Sequence, residues 1–107
     1  MRIWTTRIVP DREDEYVAFA ESHSRAMFRS QPGCLGVLFL KSGEEHAACS
    51  FWSSQADLDA LAHSSSYRDT VAALRATGLL AGDTTVKVYE VEGGSLSSAI
   101  NPDRCRR

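Results

Sequence analysis

The stretch QPGCLGVLFLKSGEEHAACSFWSSQAD, Gln31 to Asp57, decides the fold. Residues 34–40 are a continuous apolar run of strand length, which predicts a strand covered on both faces. Lys41-Ser42-Gly43-Glu44 has turn chemistry, and residues 45–52 return as a second strand, so the short polar connection predicts an antiparallel hairpin. Gln31-Pro32-Gly33 breaks whatever precedes it. Ser54-Gln55-Ala56-Asp57 has the form of a capping box, with Asp in the place of Glu, and predicts a helix start.

Working outward, residues 3–9 read as a strand stopped by Pro10. Asp11 stands as an N-cap before a cluster of acids, Glu13, Asp14 and Glu15, where a helix start favours negative charge. Tyr16, Phe19, Ala20, His23 and Met27 recur at three and four residues, predicting one buried helical stripe. Beyond the hairpin, Leu58, Leu61 and Ala62 follow at helical spacing. His63-Ser64-Ser65-Ser66 is poor helix material, and Ser66 with Asp69 is placed to cap a new segment carrying Tyr67, Val71 and Leu74, so a break is expected there. Gly78 and Gly82 end the helical region, residues 85–91 read as a last strand, and Gly93-Gly94 closes the domain.

The order βαββαβ is that of an α+β, ferredoxin-like fold, a four-stranded antiparallel sheet with helices on one face. The other face is left bare and apolar, and a second copy of the chain would cover it, giving a homodimer of the dimeric α/β barrel kind. The expected division is a domain over residues 1–94 and a C-terminal arm over residues 95–107, flexible or wrapped on a partner.

A chain of 107 residues with 43% apolar content suits one core. A net charge of -2 and a pI near 5.9 provide no field for nucleic acid or an anionic membrane surface. Arg104, Arg106 and Arg107 form a local basic cluster that reads as a solvated tail. No stretch approaches the ~20 apolar residues of a membrane helix, and the start of the chain lacks a signal core, so a cytoplasmic protein is expected. Cys34, Cys49 and Cys105 are odd in number and widely spaced, which predicts reduced thiols; Cys34 and Cys49 are expected to be buried and unreactive.

Three segments resemble the antibiotic-biosynthesis monooxygenase family: Ile3-Trp4-Thr5-Thr6-Arg7-Ile8-Val9-Pro10, the Gln31-Pro32-Gly33-Cys34-Leu35-Gly36 junction with its Pro-Gly-x-x-Gly motif, and Phe51-Trp52-Ser53-Ser54-Gln55-Ala56-Asp57-Leu58 with Trp-x-Ser. The resemblance covers Arg2 to about Glu92. It implies a homodimer with a pocket between sheet and helices in each subunit. The family includes cofactor-free oxygenases of phenolic, quinol or polycyclic substrates, and haem-degrading enzymes. Of the Asn, Trp and Tyr that the quinone-forming members use, the resemblance retains Trp52, while Ala48 and Leu58 fall at the other two positions. The Asn, Trp and His of the haem-degrading members fall at Thr5, Leu61 and Thr70.

Among individual residues, Trp52 ends a strand where its indole either stacks on a planar substrate and donates to an oxyanion or plugs the core. Trp4 carries the same two readings; if Thr5 and Arg7 face the helices, Trp4 faces the dimer barrel. His23 in the buried stripe would be a desolvated general base or a hydrogen-bonded core histidine. His63, four residues before Tyr67, would help orient a phenolic oxygen or cap broken backbone. His46, near the hairpin end, is expected to be solvated. Arg7 would hold an anion beside Thr5, or pair with the acids of the first helix. The histidines have neither HxH nor HxxxH spacing, so no metal site is expected.

These readings combine into a cofactor-independent oxygenase of a small aromatic substrate. His23 or His63 would take the proton, Trp52, Arg7 and Tyr67 would hold the oxyanion, and Thr5 would position the ring. No cofactor is called for, because a deprotonated electron-rich phenol can itself reduce dioxygen. The alternative is a non-catalytic dimer that binds a small ligand or serves as an accessory subunit; haem binding is a third reading.

Overall fold

The hairpin forms as its sequence dictates: strand β2 (Cys34–Ser42) pairs antiparallel with β3 (Glu45–Trp52), Ser42 opposite Glu45. Gly43, at a φ of 59°, supplies the positive dihedral that a two-residue connection needs at its first position. The computed structural model describes residues 1–98; the basic cluster, Cys105 and most of the expected C-terminal arm, residues 99–107, lie outside the described residues.

Strand β1 (Arg2–Arg7) lies antiparallel to β3 on one side and to β4 (Thr85–Val88) on the other, so the sheet order is β2-β3-β1-β4. This is the ferredoxin-like arrangement, with the helices on one face. β4 is shorter than the expected 85–91 because its partner runs out: Tyr89 and Met1 exchange the last backbone hydrogen bonds at 2.7 and 2.8 Å.

The first helical region comprises α1 (Glu13–Phe19), a π-helical turn (Ala20–Ser24) and α2 (Arg25–Ser30). Asp11 does not cap it. Asp11 occupies a left-handed turn at a φ of 71°, and Arg12 is the N-cap residue, without a side-chain cap bond. In the π turn the Arg25 N–H donates to the Ala20 carbonyl five residues back. One extra residue in this turn rotates the remainder of the helix by roughly 100°. Ala20, Met27 and Phe28 are therefore buried, whereas His23, expected in the stripe, is exposed.

The second region begins as predicted. Ser54 caps α3 (Gln55–Ala60), its hydroxyl accepting from the Asp57 N–H and donating to the Asp57 carboxylate. A 3-10 turn (Leu61–His63) comes next, and the expected break leads into α4 (Ser65–Ala76). The cap of α4 is Ser64, accepting from the Tyr67 N–H, not Ser66; Ser66 is instead held by Gln31, whose buried amide also reaches Ser64.

Two clusters fill the space between sheet and helices. One holds Ile8, Tyr16, Leu74 and Leu79; the other holds Met27, Phe28, Ala48 and Leu61. Each fully buried large side chain contributes roughly 1.5–3 kcal/mol. The opposite face is bare. The apolar run of β2 predicts cover on both sides, yet Leu35 is 70% and Leu40 46% exposed, because β2 is an edge strand and no element among the described residues crosses that face.

Candidate functional site

Register assigns the sheet's two faces. Arg2, Trp4 and Thr6 pair with Ser50, Ala48 and His46 on the helix side, so Ile3, Thr5 and Arg7 point to the bare side. The condition under which Trp4 would face a dimer barrel, Thr5 and Arg7 turned to the helices, is therefore not met. Thr5 is half-buried and Arg7 exposed, and Arg7 pairs with Glu44 of the hairpin turn at 3.3 Å, not with the acids of α1.

Beneath the helices lies a cavity of about 40 Å³, partly open to solvent. Trp4, Phe39 and Ala48 form its floor; Tyr16, Ser24, Met27 and Phe28 wall it from the first helical region. Tyr67, Thr70, Val71 and Arg75 line it from α4. Ser24 stands in this wall because the π turn carries it inward. Its hydroxyl and that of Thr70 make no hydrogen bond among the described residues.

Arg2 is the unusual member of the lining. It is only 7% exposed. Its Nη2 donates to the Tyr67 hydroxyl at 2.7 Å, and its guanidinium lies 5.3 Å from the centre of that ring. No carboxylate among the described residues lies within ion-pair distance. A guanidinium taken out of water without an acid is costly, and a neutral phenol offsets only part of that cost.

Among the described residues no carboxylate or imidazole lines the cavity. Burial pushes the Tyr16 phenol up to about 12, so Tyr16 is neutral over the physiological range. Of the residues singled out in the sequence, the structure brings Tyr67 and Trp4 into the lining, and leaves Thr5, Arg7, His23, His46, Trp52 and His63 out of it. Trp52 packs against the Met27–Phe28 cluster, but its indole N–H is donated to the Ser50 hydroxyl at 2.9 Å. His23 is exposed, stacked on Phe19 and hydrogen-bonded to Ser22. His63 is exposed at the helix break. Sequence reasoning missed Arg2 and Ser24; the signal for Arg2 was its period-two spacing from Trp4.

His46, expected to be solvated, is 3% exposed. Its Nε2 lies 3.2 Å from Glu13, which also accepts from Lys41 at 3.0 Å, and Tyr16 meets its ring edge-on at 5.0 Å. These two hydrogen bonds hold the Glu13 carboxyl below its ordinary range. Burial raises the Cys34 and Cys49 thiols, which fits inert sulfur.

The sequence model of a family described as antibiotic biosynthesis monooxygenase matches residues 1–73. The fold is similar to that of Rv0793 from Mycobacterium tuberculosis, 21% identical over 88% of this chain and 96% of that one, with a TM-score of 0.70. A Nitrosomonas europaea protein of unknown function, NE2512, is 16% identical over 92% and 93%, with a TM-score of 0.73. A structure described as an antibiotic biosynthesis monooxygenase is 18% identical over 86% and 97%, with a TM-score of 0.69. At these identities the likeness is one of fold. No curated relative matches the chain.

Proposed function

We propose, from the premise that the chain belongs to the antibiotic biosynthesis monooxygenase family, that it is a monooxygenase-like enzyme acting on a small phenol or quinol in the cavity beneath α4. The observation that carries this reading is the cavity's wall. Trp4, Tyr16, Phe28, Phe39 and Tyr67 offer aromatic surface to a planar ring and exclude water from a reactive intermediate.

The chemistry draws its electrons from the substrate. A phenolate gives one electron to dioxygen, the resulting radical pair joins through a new C–O bond, and the peroxide loses water as its O–O bond breaks. The net change converts a ring C–H to C=O, with one oxygen atom retained and the other leaving as water. No resident cofactor enters this balance. Tyr67 is the residue of the sequence-derived set that would touch the substrate oxygen, while Trp52, His23 and His63 would act through the surrounding structure.

Size narrows the substrate. An apolar site that takes benzene measures roughly 150 Å³, so this cavity of about 40 Å³ admits a single ring only when lining side chains such as Tyr67 and Arg75 move outward. A fused polycycle would demand far more. The protein is proposed to work in the cytoplasm as a homodimer, its second copy covering Ile3, Leu38, Leu40 and Phe51 on the bare face; a monomer on size-exclusion chromatography would remove that part.

The absence of carboxylate and imidazole from the lining favours a second reading, a binding protein without turnover. Oxygen uptake with a panel of single-ring quinols and phenols separates the two. Consumption with quinone formation supports the enzyme, and ligand-induced thermal stabilisation without consumption supports the binding protein.

A further inference from the structure

We infer that the cavity takes its ligand as a preformed anion, a single aromatic ring bearing a charged oxygen for which Arg2 is the counter-ion. The inference rests on the cavity being the ligand site, as read above, and adds the ionic form of what binds there. Four other cations, Arg7, Arg12, Arg25 and Lys41, have carboxylate partners. Arg29, Arg68, Arg75 and Lys87 have none among the described residues, and all four are exposed. Among the described residues, Arg2 alone combines burial with the lack of an acid. A buried guanidinium to which the described residues supply no acid is matched to a partner that arrives.

The donors converge. The Tyr67 hydroxyl accepts from Arg2 and keeps its own O–H to give, so the two side chains present N–H and O–H donors together toward an anionic oxygen. Arg75 adds a second positive charge from α4.

The same wall explains why the anion must form beforehand. The charged and titratable groups around Arg2 are Tyr16 from α1 and Tyr67 and Arg75 from α4; β2 and β3 contribute Phe39 and Ala48, and the π turn contributes Ser24. None is a carboxylate or an imidazole. Ionisation is therefore left to the ligand, and binding follows the acidity of the free ligand.

The test is calorimetric titration of the full chain with benzoate, 4-nitrophenolate and neutral nitrobenzene. Binding of either anion at least about tenfold tighter than nitrobenzene is expected, with 4-nitrophenol affinity rising with pH as the free phenol ionises. Preference between benzoate and nitrophenolate tells a carboxylate source from a phenolate source. Arg2→Met should lose at least about tenfold in anion affinity without weakening nitrobenzene, and Arg2→Lys should recover part of it. Nitrobenzene binding equal to the anions overturns the inference on the wild-type chain alone, whether or not the variants fold; so does unchanged anion affinity in a folded Arg2→Met. Anion binding without oxygen uptake would end the oxygenase reading and leave this one standing, whereas turnover indifferent to Arg2→Met would do the reverse.

Discussion

His46 and Arg2 are buried on the same face of the sheet, near opposite ends of β1, and the chain provides for them differently. His46 has an acid of its own chain at 3.2 Å, and that acid is further held by Lys41. Arg2 has a neutral phenol. Both are almost fully excluded from water, so both need polar partners. A group that serves the fold has its partner built in, and the difference between the two ends separates architecture from a place kept for a ligand.

The largest effect that tests this contrast is on stability. His46→Ala removes a packed ring from beside Tyr16 and opens a void, and should cost about 2–4 kcal/mol, read as a lower urea midpoint. Arg2→Met, at similar depth, should change stability by no more than about 1 kcal/mol in either direction, since methionine fills the volume and removes the desolvation cost of the cation. Equal, large losses in both variants would make Arg2 architectural and collapse the comparison.

Tyr16 touches both ends, packing on His46 and lining the cavity, which makes its titration the next test. Its folded pKa is raised from the ordinary 10.0 to about 12 by burial. The neutral phenol is the form that the fold keeps, so this stability is present below the unfolded value and is lost as pH rises from about 10 toward 12. The loss should be of order 2 kcal/mol, and Tyr16→Phe should lack it. An alkaline transition in denaturant midpoint that is identical in Tyr16→Phe would mean that water reaches the phenol.

The alternation of turn and strand residues around the hairpin, and the capping box at Ser54, make the element order legible in the chain itself, because those signals are local. The facing of β1 is not legible there. Arg2, Trp4, Thr6 and Ile8 alternate with Ile3, Thr5, Arg7 and Val9, and the two sets are about equally apolar, so periodicity alone cannot say which set meets the helices. Only pairing with Ala48 and Ser50 decides it. The place of His23 escapes the helical pattern because a π turn leaves no mark in apolar spacing, and one added residue turns the helix past it. His46 reads as solvated from its nearness to a turn in sequence, whereas the start of α1 covers it in space. Tyr67 is recoverable, since the helical spacing of Tyr67, Val71 and Leu74 already puts it on the inward side of α4.

The smallest effect concerns the acid that completes the His46 end. Hydrogen bonds from Lys41 and His46 lower the Glu13 pKa below its ordinary 4.5, so its contribution is present above that value and is lost as pH falls through the folded pKa. Glu13→Gln should therefore be less stable than the parent at neutral pH, and the gap should close once the pH is well below the carboxylate range. Salt should narrow the gap too, because the Lys41 ammonium is exposed and screened. Anion binding at Arg2 should not change. Thermal melts of both proteins from neutral pH down to about pH 3 check this; a gap that persisted undiminished in acid would assign the His46 end to packing and neutral hydrogen bonding, and the contrast with Arg2 would then rest on geometry and no longer on charge.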